Sequence, residues 1–226
     1  MNTFLRIVWT IFEKDFLTEK RTKESFSAML VFGILVLVVF NFTVSPGSQE
    51  IQEIGAGMLW VAFTFAGTLG LNRAFASEND NGNMQALIMV PVDKGAIYLG
   101  KLLSGAMFMF TVELFIIPVF VLFFNVNIWE QLPGLLLISI LGTLGFIGTG
   151  TVFSAVALNT RMREVLLPVL LFPVTIPMII AAVEATAVLL RGEPLSGAFD
   201  WIKILLGFDV TIIVTSFLTF EYILEE

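Results

Sequence analysis

The chain has 226 residues, of which 57% are hydrophobic and only 14% charged, with 23 Phe and a formal net charge of −7. That is more apolar material than a soluble domain of this length buries, so lipid is the expected solvent and an all-α polytopic membrane protein the expected fold. Cys and His are both absent, which excludes disulfides, thiolate nucleophiles, His-based triads, His or Cys metal sites and the usual haem ligand.

Residues 1–25 form an amphipathic opening. Leu5, Val8, Trp9, Phe12 and Phe16 recur at spacings of three and four, while Arg6, Glu13, Lys14 and Lys20 mostly occupy the other side of the wheel. This pattern predicts an interfacial helix on the cytoplasmic leaflet with Trp9 at headgroup depth. Acids interleave with its basic residues and no small-residue cleavage site follows, so the segment is not read as a signal peptide. Two roles stay open for it, a plain membrane-hugging leader or an elbow that sets the first span against a partner subunit.

Six apolar runs follow at 26–44, 54–72, 102–124, 135–158, 165–190 and 202–224, each long enough to cross a hydrocarbon core of ~30 Å as a helix. The connections are short, so residues 1–226 read as a single transmembrane domain with no soluble domain of roughly 100 residues to carry separate chemistry. Lys and Arg divide unevenly between the two sides. Arg6, Lys14, Lys20, Arg21, Lys23, Arg73, Lys94, Lys101, Arg161 and Arg163 fall on one side of a six-span arrangement, and only Arg191 and Lys203 on the other. Excess positive charge marks the cytoplasmic side, which places both termini in the cytoplasm. No basic face with stacking aromatics lies outside the spans, so nucleic acid is not an expected partner.

Between the second and third spans, residues 95–103 read "GAIYLGKLL" and match a P-loop up to its last position, where Leu102 replaces the Ser or Thr that would reach Mg²⁺. Ala96, Ile97, Tyr98 and Leu99 are too apolar and bulky for a phosphate cradle. The motif is better read as the doorway of a membrane helix, with Lys101 snorkelling at its cytoplasmic end. Upstream, the loop is polar through Asn83, turns amphipathic over 84–89 with Met84, Leu87 and Ile88, and is broken by Pro91. A short amphipathic helix between Gly82 and Pro91 suits docking into a groove on a cytosolic partner. Arg73 and Glu78 sit nearer the span.

Within the spans, Glu113, Glu184 and Asp209 are the ionisable residues that need an account, because an ionised carboxylate at the bilayer centre costs on the order of 2.5–3.5 kcal/mol. Glu113 is the deepest by counting and reads as a buried polar contact or a translocation residue. Glu184 and Asp209 are also compatible with the outer interface. The fourth span carries Ser139, Gly142, Gly145 and Thr149 at helical spacing, with Gly150 and Ser154 four apart. Such small residues serve packing within the chain, contact with another subunit, or a sliding surface. The fifth span contains Pro168, Pro173 and Pro177, which suit either static bends or a moving, pore-lining helix. No nucleophile or metal-ligand cluster accompanies the acids, so hydrolytic chemistry is not expected.

The loop residues Arg73, Phe75, Glu78, Gly82, Leu87 and Pro91, with "LNTRMREVLLPVLLFPVTIPMII" at 158–180 and "LLGFDVTIIVTSFLTFEYILEE" at 205–226, resemble the haem-exporter permease family of the cytochrome c maturation transporter. The likeness covers nearly the whole chain. It departs from the family at Asn72 and Gln85, where acids are frequent, so an ion-pair account of coupling has no support at those two positions. The resemblance implies the membrane subunit, not itself an enzyme, of a type-2 ABC exporter in a bacterial inner membrane. A separate cytosolic subunit would bind and hydrolyse ATP and push on the coupling segment. A second membrane subunit and a periplasmic haem chaperone would be further partners. Haem would be the complex's substrate and not a cofactor of this chain, and pairing with a second copy is left open. The alternatives are a type-2 exporter of a lipid, drug or polysaccharide, and a membrane scaffold without transport.

Overall fold

The computed structural model describes residues 3–73, 92–160 and 162–225. Their elements are α1 (Thr3–Thr22), α2 (Glu24–Asn41), α3 (Gln49–Arg73), α4 (Lys94–Phe124), α5 (Leu132–Val156), α6 (Arg163–Leu190) and α7 (Phe199–Glu225). Short 3-10 turns at Ala157–Asn159 and Leu195–Ala198 follow α5 and precede α7, and no strand occurs among the described residues. The six helices after α1 are long and apolar enough to cross a membrane. In lipid each helix satisfies its own backbone, which is why so apolar a chain takes this form.

The spans match the expected six with shifted edges. The third begins at Lys94, eight residues before the apolar run at 102, because Asp93 caps the helix by accepting a hydrogen bond from the Gly95 N–H at 2.8 Å. Residues 95–101 are therefore helical and mostly buried, and the Gly95 N–H is already taken by Asp93. The P-loop resemblance ends there.

Contacts fix which helix ends lie together. Asn41 Nδ2 donates to the Phe123 carbonyl at 2.9 Å and Gly47 N–H to that of Phe124 at 2.9 Å, so α2 and α4 finish at one end. At the other end Arg73 meets Glu24 at 2.6 Å, and Phe4 packs edge-on against Phe217 with ring centroids 6.0 Å apart. Both chain ends thus share the end from which residues 74–91 depart. The turn from α1 to α2 is built by Glu19, whose carboxylate accepts the Phe26 N–H at 2.7 Å, while Lys23 takes a left-handed φ of 55°. That conformation costs a non-glycine residue roughly 1–2 kcal/mol.

One apolar cluster draws residues from all seven helices. Its centre is formed by α3 and α5, the two most enclosed spans. Close approach requires the glycines of α5. Trp60 of α3 occupies the space where a side chain at Gly142 would begin, and Leu71 does the same at Gly150. Ser154 Oγ donates to the Leu71 carbonyl at 3.0 Å. The small residues of the fourth span thus pack within the chain.

Two expectations change. Pro173 and Pro177 are exposed on α6, on the flank that also carries Val169, Ile176 and Ile180. They face away from this chain's own bundle, and Pro168 is half-buried. The apolar stripe of α1 divides: Val8 turns with Ile11 toward the bundle, whereas Leu5 and Trp9 stay exposed beside it. A helix that touches both protein and lipid needs apolar residues on two flanks.

Candidate functional site

Of the residues expected to couple to an ATPase, Glu78, Gly82, Met84, Leu87, Ile88 and Pro91 lie outside the described residues, as does Gln85. Arg73 is described. It ends α3 and pairs with Glu24 at the start of α2, tying together the two helices beside the departing segment. Both partners are exposed, so the pair is worth only ~0–1 kcal/mol.

On the return side, Asp93 caps the first turn of α4. Lys101 does not snorkel to water, which corrects the expectation. Its side chain is 3% exposed and its ammonium sits 3.2 Å from the Asp15 carboxylate of α1. Ser104 Oγ donates to the same carboxylate at 3.0 Å. The reason is α1, which covers this face of α4 and supplies an anion in place of water. Sequence reading missed Asp15. Its signal was register: it follows Ile11 by four residues and Val8 by seven, the two buried positions of the helix.

Deeper in the bundle the three acids separate. Glu113 of α4 is fully enclosed, and Oε1 accepts a hydrogen bond from Thr143 Oγ1 of α5 at 2.8 Å. Its Oε2 has no partner among the described residues. Ser139, one turn from Thr143 on the same face of α5, is likewise enclosed and without a partner for Oγ among them. Asp209 of α7 is buried on a different flank of α5, over Gly145, where a methyl group would lie 2.5 Å from Oδ1. Positions 143 and 145 differ by about 200° around a helix, so Glu113 and Asp209 press on opposite sides of α5 at one level. Neither carboxyl oxygen of Asp209 has a partner among the described residues. Glu184 does not join them. It is exposed on α6, a turn beyond Ile180 and near the end where Leu190 closes the helix.

A polar layer therefore crosses the middle of α5, extended by the Trp60 Nε1 bond to Thr186 Oγ1 of α6 at 2.9 Å and by Tyr98, whose hydroxyl donates to the Gly148 carbonyl at 3.3 Å. Buried groups of this kind fix how helices register, since a shift leaves them unpaired. The described residues include no group of three or more acids placed to hold a metal ion.

Comparison with known proteins gives the family. The family model described as CcmB protein matches residues 6–224. The "Heme exporter protein B" of Pseudomonas aeruginosa is 30% identical over 183 residues, covering 81% of this chain and 82% of that protein. Its namesake in Escherichia coli (strain K12) is 26% identical over 211 residues, covering 90% and 92%. The "Heme exporter protein B" of Rhodobacter capsulatus is 24% identical over 181 residues, covering 77% and 79%. With six membrane-length helices and a match that runs over almost its full length, the chain belongs to the CcmB protein family.

Proposed function

We propose that this chain is the membrane subunit of an ABC transporter that handles haem during cytochrome c biogenesis in a bacterial inner membrane. The observation that carries the reading is the family match over residues 6–224, made by a chain that is almost entirely membrane helix. The relatives are named heme exporter protein B, and the described residues of this chain are largely six membrane-length helices. In this reading a separate cytosolic ATPase supplies the energy. Residues 74–91 connect α3 to α4 on the side where positive charge accumulates, and are the natural segment for that subunit to push on. Loading or release of a periplasmic haem chaperone, with a second membrane subunit, is the step the complex would drive. Haem is its substrate.

The test has two arms. In a strain lacking its own copy of this subunit, the wild-type chain restores cytochrome c assembly and recovers an ATPase subunit on affinity purification. Leu87→Asp inserts an ionised group into the proposed docking face, where an unpaired buried charge costs several kcal/mol. It should lose the ATPase while the chain stays in the membrane at normal level. Normal ATPase recovery and normal maturation by Leu87→Asp would remove the docking assignment, and failure of the wild-type chain to restore assembly would remove the haem reading in favour of export of another substrate.

A further inference from the structure

The contact between α1 and α4 holds more than grease. Val8 and Ile11 pack so closely on α4 that a methyl group at Gly100 would lie 2.8 Å from Ile11 Cβ and 3.1 Å from the Val8 carbonyl oxygen. Further along, Phe16 stacks on Phe108, with ring centroids 6.3 Å apart and planes within 4°. Between these apolar contacts sit Asp15, Lys101 and Ser104, joined by the 3.2 Å ion pair and the 3.0 Å hydrogen bond. Lys101 and Ser104 are three apart and share one face of α4. The side chains of Lys101 and Asp15 are 3% and 15% exposed.

A charge pair withdrawn from water is a poor source of stability, because desolvation offsets most of the attraction and a well-packed apolar pair would hold the helices as firmly. What it supplies is register. A slide of α1 along α4 by one turn would carry the Asp15 carboxylate away from a buried ammonium, whereas the apolar contacts around it could re-form with new neighbours. The position matters too. α4 is the helix that residues 74–91 lead into, and Lys101 lies two turns inside its first residue. Displacement of that segment is passed directly to the Lys94–Lys101 stretch at one end, as it is to Arg73 of α3 at the other.

We propose that Asp15 and Lys101 form a latch that makes α1 and the first turns of α4 one moving body during the transport cycle, with Asp15 as a positioning residue for energy coupling. The inference rests on the reading above that a cytosolic ATPase acts on 74–91. Without the latch, the push is absorbed by slippage between the two helices. With it, the push is carried to α1 and through the Glu19 elbow to α2.

The absence of cysteine makes the test direct. Spin labels on Thr18→Cys in α1 and Leu103→Cys in α4, both exposed, report the separation of the helices in the assembled complex in lipid nanodiscs. The expected result is the same distance distribution in the nucleotide-free and ATP-bound states. Asp15→Ala should shift or broaden it and lower cytochrome c matured per ATP hydrolysed by on the order of tenfold, within the usual range of coupling energies. Because that variant takes a carboxylate away from a buried lysine, Asp15→Asn/Lys101→Met, which removes both charges, is measured beside it. Normal membrane level and normal ATPase recovery with the same tenfold loss support the latch. An α1–α4 distance that changes with ATP in the otherwise unaltered chain, or full coupling in the double variant, overturns it. Failure of any ATPase to co-purify with the unaltered chain overturns the transporter reading instead.

Discussion

Glu113 shows what a single carboxyl group does at the centre of a membrane bundle. Its hydrogen-bond partner among the described residues is the Thr143 hydroxyl, and the side chain is fully enclosed. Glu113→Gln keeps an acceptor at the same reach and should leave the thermal stability of the purified chain within about 1 kcal/mol of wild type. Glu113→Asp withdraws the group by one methylene, breaks the bond to Thr143 and opens a small void, so it should cost about 1–3 kcal/mol. Thermal unfolding in detergent measures both, and an Asp variant as stable as the Gln variant would show that the bond to Thr143 contributes nothing. The depth of Glu113 was legible by counting along its span. Its partner was not, because a helix that is apolar all round gives no signal of which face meets which neighbour. The same blindness left the outward direction of Glu184 open, and it hid Asp15, a carboxylate in register with buried Val8 and Ile11 that composition reads as one more polar residue of a surface helix.

At the scale of the element, α5 works because its side chains are small where its neighbours are large. The Trp60 ring fills the space over Gly142 and reaches Thr186 with its N–H, so α3, α5 and α6 are joined through one residue. Gly142→Val should push the indole out, break its hydrogen bond and cost about 1–3 kcal/mol by overpacking, with a matching loss of folded chain in the membrane. Gly57 in α3 is the control. A methyl group there meets nothing within 4 Å, so Gly57→Ala should be neutral or stabilising by up to about 1 kcal/mol. Equal loss in both variants, measured by thermal unfolding, would show that glycine content and not the Trp60 fit sets the stability of these helices. The six spans were readable from apolar length alone, since a lipid-facing helix needs only length and composition. The early start of α4 was not. Lys94 and Lys101 counted against a membrane helix, yet Asp93 caps the helix ahead of both and Asp15 of α1 supplies an anion for Lys101.

For the whole molecule, fold and charge make separate statements about orientation, and one set of measurements tests both. The packing of Phe4 on Phe217 and of Tyr98 on Phe220 puts the chain's two ends and the start of α4 together. The polypeptide must then cross the bilayer an even number of times, whichever way it is inserted. We propose that this end faces the cytoplasm, because in a six-span reading of the sequence ten of the twelve Lys and Arg fall on its side, and positive charge near a span terminus resists translocation. Lys101 still counts although Asp15 neutralises it in the folded bundle, because insertion precedes packing and acids weigh little in that choice. Reporter fusions after Pro133 and Gly192 should therefore read as external, and those after Asn81, Asn159 and Glu226 as cytoplasmic. A uniformly inverted pattern would leave the bundle intact and overturn only the charge argument, and with it the placing of 74–91 against a cytosolic ATPase. Termini on opposite sides would contradict the packing itself, since Phe4 and Phe217 could no longer meet.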